Sequence, residues 1–115
     1  MSNIEVHVGG SFADTKRRVL DAVAAAERGP VEGQTHITFE SWAALSNVMT
    51  PKRFEILRRV HREPAASVAA LARDLRRDYK RVHEDVEALV AAGLLDREQG
   101  EVRANYDEIR TVIAL

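Results

Sequence analysis

The sequence predicts an α+β fold, and three observations predict it. A short segment of alternating apolar residues opens the chain, three helix-start signals follow one another in its middle, and a glycine-containing turn separates two short apolar stretches after the last of them. At 115 residues, 45% of them hydrophobic, the chain suits one small domain with an appendage and a packed core.

Ile4, Val6 and Val8 alternate with polar residues and predict a strand, which Gly9-Gly10 ends. Ser11 caps a predicted helix that runs to about Arg28, with Phe12, Val19, Ala22, Val23 and Ala26 on one face. Gly29-Pro30 stops it, and Val31 to Gln34 reads as a loop. Thr35 to Phe39 is a second short strand, followed by a short helix over Glu40 to Val48. Trp42, Leu45 and Val48 share one side of that helix, and Trp42 is expected in the core.

The next start is sharper. Thr50 is a good N-cap, and Pro51 stands where its missing N–H costs nothing. Phe54, Leu57 and Val60 form the apolar stripe of this helix, with Ile56 beside it, and Pro64 ends it. Ser67 caps a helix that buries Val68, Leu71 and Leu75 and reaches about Arg76. Asp78 caps a third, from Tyr79 to Ala92, which Gly93 terminates. Leu94-Leu95 begin a strand, Gln99-Gly100 make the turn, and Val102 starts the return. Ile109 to Leu115 is β-branched enough for a last strand.

Three helices followed by a two-stranded hairpin, in about 55 residues, is the order of a winged helix-turn-helix. The chain therefore divides into an N-terminal strand–helix extension at 1–48, suited to dimerisation or partner binding, and a winged helix-turn-helix at 49–115.

Charge supports that division. The formal net charge is −1, which excludes a chain that binds nucleic acid by bulk charge alone. Residues 51–93, however, carry ten basic and seven acidic groups, a balance of +3, between two ends of −2 each. Five of the basic groups, Arg73, Arg76, Arg77, Lys80 and Arg81, lie between 73 and 81.

At about 100° per residue, Val82, Val86 and Leu89 fall on one narrow face of the 79–92 helix, with Tyr79 and Val90 beside it. Lys80, Arg81 and Glu84 point the opposite way, with His83 and Glu87 on a flank. An exposed, donor-rich first half is what a recognition helix needs, because arginine or lysine can read guanine O6 and N7 in the major groove of double-stranded DNA. Glu84 would accept from a cytosine amino group or orient Arg81. Tyr79 suits the core or a phosphate, and His83 a surface donor. Asp85 stands four residues after Arg81, the spacing of an intrahelical pair. Arg73, Arg76 and Arg77 at the turn, and the N-terminus of the Ser67 helix, suit phosphate contact. In the wing, Arg97 and Arg103 are candidate backbone contacts beside Asp96, Glu98 and Glu101, which oppose them. Each of these charges also fits an ordinary solvated face.

These residues carry a resemblance. Phe39-Glu40-Ser41, Thr50-Pro51-Lys52-Arg53, Leu71-Ala72, Arg77-Asp78-Tyr79-Lys80-Arg81-Val82-His83, Asp85-Val86, Gly93-Leu94-Leu95 and Tyr106-Asp107-Glu108-Ile109 together resemble a family of small prokaryotic winged-helix transcriptional regulators of the MarR-like type. Some members resemble antitoxins encoded beside a toxin. Arg76 departs from the family pattern, standing where glycine is common, and Asn105 stands where proline often precedes the Tyr-Asp pair.

Little points to catalysis. His7, His36, His61 and His83 have no ligand spacing along the chain, no glycine-rich phosphate loop occurs, and the serines lack a nucleophile motif. No metal or other cofactor and no enzyme is expected. The absence of cysteine excludes thiol catalysis and Cys-based metal sites. No apolar run reaches membrane-spanning length, no secretory signal is expected at the start, and a cytoplasmic location fits best. Two functions fit: a homodimeric, sequence-specific DNA-binding repressor, in which the 4–8 strand joins the 109–115 strand within or across subunits, or a protein-interaction module such as an antitoxin. The acidic N-terminal part, or Trp42 with Phe39, would then meet the partner.

Overall fold

The structure is a computed structural model that describes residues 2–10, 20 and 34–115. Apart from Leu20, the helix expected over Ser11–Arg28 lies outside the described residues, as does most of the loop after it. The described residues form an α+β structure. In chain order the elements are β1 Asn3–Val8, β2 Gln34–Phe39, α1 Trp42–Val48, α2 Pro51–Arg62, α3 Val68–Leu75, α4 Tyr79–Ala91, β3 Asp96–Glu98, β4 Glu101–Arg103 and β5 Glu108–Ile113. They fall into two compact units, residues 1–45 with 106–115, and residues 46–105.

The first unit is built on a sheet with strand order β2-β1-β5. Both neighbours run parallel to β1, and Val6 stands opposite Ile37 on one side and Thr111 on the other. Ile4, Val6 and Val8 are buried, as their alternation requires. Gly9 closes the β1–β2 ladder by donating its N–H to Phe39 O at 3.0 Å. It does so at φ +73°, a conformation natural to glycine. The 4–8 and 109–115 segments thus pair within one chain. In consequence residues 106–115 group with the N-terminal strands, and the unit carrying α2, α3 and α4 ends at Asn105 rather than at the chain end.

The second unit follows its capping residues. Thr50 Oγ1 accepts from Arg53 N, Ser67 Oγ from Ala70 N, and Asp78 Oδ2 from Arg81 N. Ile56, Leu57 and Val60 of α2, Val68, Leu71 and Ala72 of α3, and Val82, Val86 and Leu89 of α4 are all buried. Truncation of any large member, such as Leu71→Ala, costs about 2–5 kcal/mol by lost transfer energy and cavity formation. Phe54 departs from its expected place in the stripe. It is 49% exposed, and Ile56, expected only beside the stripe, is buried with Leu57 and Val60. Trp42 is likewise 59% exposed rather than part of the core, and α1 buries only Leu45.

Helices α3 and α4 end alike. Past α4, Gly93 N bonds Val90 O and Leu94 N bonds Leu89 O. Past α3, Arg76 N bonds Arg73 O and Arg77 N bonds Ala72 O. This is the pattern that needs a left-handed residue. Gly93 supplies it at φ +84°, and Arg76 at φ 56°, ψ 46°.

Leu94 and Leu95 do not begin the strand. Their N–H groups both bond Leu89 O, so they complete the end of α4 as buried residues, and β3 starts at Asp96. Gln99 and Gly100, both with positive φ, form the two-residue turn of the β3–β4 hairpin. Ala65, between α2 and α3, exchanges both backbone hydrogen bonds with Val102, at 3.0 and 2.8 Å. This fixes the hairpin to the helices. No helix among the described residues is long and apolar enough to cross a membrane.

Candidate nucleic-acid interface

The buried stripe of α4 determines what its other side can offer. Val82, Val86 and Leu89 are wholly enclosed, so Lys80, Arg81 and Glu84, roughly opposite on the helix, are exposed. The Asp78 cap sets the start of the helix, and with it the direction of these three side chains. Tyr79 is exposed rather than in the core, its ring 5.8 Å from that of His83. His83 Nε2 also lies 3.8 Å from Glu87 Oε1, one turn on.

The turn before α4 holds three arginines with different surroundings. Arg73 and Arg76 are exposed. Arg77 is half-buried, and its Nη2 donates to Asp85 Oδ2 at 2.8 Å. Asp85 Oδ1 accepts from Arg53 Nε at 3.0 Å, so one carboxylate joins α2, the turn and α4. The expected pair between Asp85 and Arg81 does not form. Asp85 lies about 40° from Leu89 around the helix, which turns its carboxylate toward α2. Arg53 also donates Nη1 to Asn47 O and Val48 O at 3.2 and 3.1 Å.

A groove of about 440 Å³ opens beside this network, lined by Lys52, Arg77, Arg81, Glu84 and Asp85 among others. Lys52 was not among the residues expected at the site. Its sequence signal is its place just after Pro51 in the first turn of α2, and only the packing of α2 against α4 brings it beside Arg81.

The remaining candidates are distributed around this centre. Ser67 uses its hydroxyl oxygen as the cap of α3. Arg97, on β3, gives Nη1 to Glu87 Oε1 of α4 at 2.7 Å. Arg103, on β4, gives Nε to Glu101 Oε1 at 2.5 Å, and that carboxylate raises its already high pKa. Both hairpin arginines therefore meet carboxylates of their own chain. At the far end of α3, Asp74 accepts a hydrogen bond from Arg59 Nε, and this bond holds its pKa below the usual carboxylate value. The arrangement offers a convex, basic helix face and a groove edged with lysine and arginine, a surface suited to anionic ligands.

A family model, HVO_A0114, matches residues 48–111, which span α2 through most of β5. The chain belongs to the HVO_A0114 family. No curated protein matches the chain significantly. The same holds for solved structures.

Proposed function

We propose that residues 46–105 act as a winged helix-turn-helix and that the protein is a sequence-specific DNA-binding transcriptional regulator. In this reading α4 is the recognition helix. Lys80, Arg81 and Glu84 face base edges in the major groove, and Arg73, Arg76 and Lys52 meet phosphates. The observation that carries the reading is the division of α4 into a fully buried stripe and an exposed, cation-bearing first half beside a basic groove. No catalytic role is assigned, and a cytoplasmic repressor is the form we favour.

A homodimer suits this role, since paired recognition helices reach successive major grooves. The β2-β1-β5 sheet supports it: β5 is an edge strand among the described residues, and Val112 and Ile113 on it are about half exposed. Selection of bound duplexes from a random pool, followed by anisotropy titration and sedimentation, tests the proposal. An enriched site bound by a dimer supports it. Binding without sequence preference, or a concentration-independent monomer, overturns the corresponding part.

One observation favours a second reading, a protein-binding module of the antitoxin kind. Trp42 is 59% exposed, and tryptophan is enriched at the anchoring points of protein interfaces. Co-purification of a neighbour-encoded protein that is lost in Trp42→Ala would support it.

A further inference from the structure

Spacing along the chain gives the histidines no common site, yet the parallel register of β1 and β2 brings two of them together. Glu5 and His7 are two residues apart on β1 and share a face of the sheet, and His36 on β2 stands opposite Glu5. His7 Nε2 lies 3.1 Å from His36 Nδ1 and 3.2 Å from Glu5 Oε1. The two imidazoles stack at 5.3 Å between centroids. Ligand atoms of all three residues fall within 4.8 Å of one another.

We propose that Glu5, His7 and His36 form a binding site for a divalent transition-metal cation of the zinc class. Two imidazole nitrogens and one carboxylate oxygen are a donor set that such ions prefer. Four-coordinate zinc with bonds of about 2.0–2.1 Å has ligand–ligand edges of about 3.3–3.4 Å. The two short separations at His7 Nε2 are close to that edge. A single ring nitrogen carries at most one hydrogen, so His7 Nε2 can give only one proton to its two neighbours. A cation uses all three lone pairs at once.

The surroundings suit a resident ion. His7 is 7% exposed on the central strand, which fixes one ligand firmly, while exposed His36 provides access. Arg110 stands opposite Glu5 in the register on the other side and gives its Nε to Glu108 at 2.9 Å. Three protein ligands leave one position for water. The bound ion ties β1 to β2.

The test is calorimetric titration of the full chain, stripped with chelator, with Zn²⁺ at neutral pH. One equivalent is expected to bind. His36→Ala and Glu5→Gln, whose side chains are not buried, should each weaken binding at least about tenfold while circular dichroism stays native. His61→Ala, outside the site, should bind like the wild type. Co²⁺ in place of Zn²⁺ should give the visible bands of a four-coordinate ion, and His36→Ala should remove them. The absence of stoichiometric binding, or unchanged affinity in His36→Ala, overturns the proposal.

Discussion

Arg77 Nη2 lies 2.8 Å from Asp85 Oδ2, so the last arginine of the turn is held against α4 and not extended into solvent. Both side chains are largely enclosed, at 15% and 17% exposure. Since the same carboxylate takes Arg53 Nε, it joins α2, the turn and α4 through one side chain.

Asp85→Ala should therefore destabilise the fold. It leaves two partly enclosed guanidinium groups without their carboxylate, at a cost of about 1–3 kcal/mol. Urea unfolding, with Arg77→Ala and the double variant closing the cycle, measures the coupling. Additive losses would show that the pair contributes nothing of its own.

On the proposed function, Arg81→Ala should cost about 1–3 kcal/mol at the selected duplex and relax discrimination at one base pair. Arg73→Ala should weaken all duplexes alike and reduce the slope of log affinity against log salt by about 0.9. Arg77→Ala should show itself mainly in unfolding, because of its bond to Asp85. Anisotropy titrations at several salt concentrations separate these outcomes.

Arg76 occupies a left-handed conformation that glycine adopts without strain. Arg76→Gly should raise stability by about 0.5–1 kcal/mol, the relief of strain being partly offset by glycine's greater freedom in the unfolded chain. The same change removes a cation from the turn, so on the proposed function DNA affinity should fall as stability rises. Denaturant midpoints and duplex titrations on one preparation check both directions.

The Arg59–Asp74 pair should be sensitive to acid. The hydrogen bond from Arg59, reinforced by its charge, lowers the Asp74 pKa from an ordinary 3.8. A depressed carboxylate pKa adds stability that is complete above the ordinary value and disappears as pH falls through the folded one. The difference in melting temperature between wild type and Asp74→Asn should be constant from neutrality to about pH 5, then close as pH drops below 3.8. A gap that persists in acid would place the effect elsewhere.

The helices and their caps were legible in the sequence because capping is local. Thr50, Ser67 and Asp78 each accept from a backbone N–H three residues on, and Pro64 and Gly93 mark the ends of α2 and α4, while α3 ends at Arg76. The exposed face of α4 was legible for the same reason, since helical periodicity alone places Lys80, Arg81 and Glu84 opposite Val82 and Val86. What depends on distant partners was not. Asp85 chose Arg53 and Arg77 over Arg81 because α2 packs beside it. Trp42 and Phe54 are apolar, yet a periodic stripe does not say how far a neighbouring element extends over it. His7 and His36 meet only through a strand register that no local pattern specifies.

The strand order β2-β1-β5 has a consequence for synthesis. The sheet is completed only when Glu108–Ile113 have been made and pair with Asn3–Val8. Until then one edge of β1 presents a row of unpaired backbone N–H and C=O groups, ready to accept another extended strand. Chains that end before Glu108 would keep that edge open permanently. Such chains are expected to associate through β1.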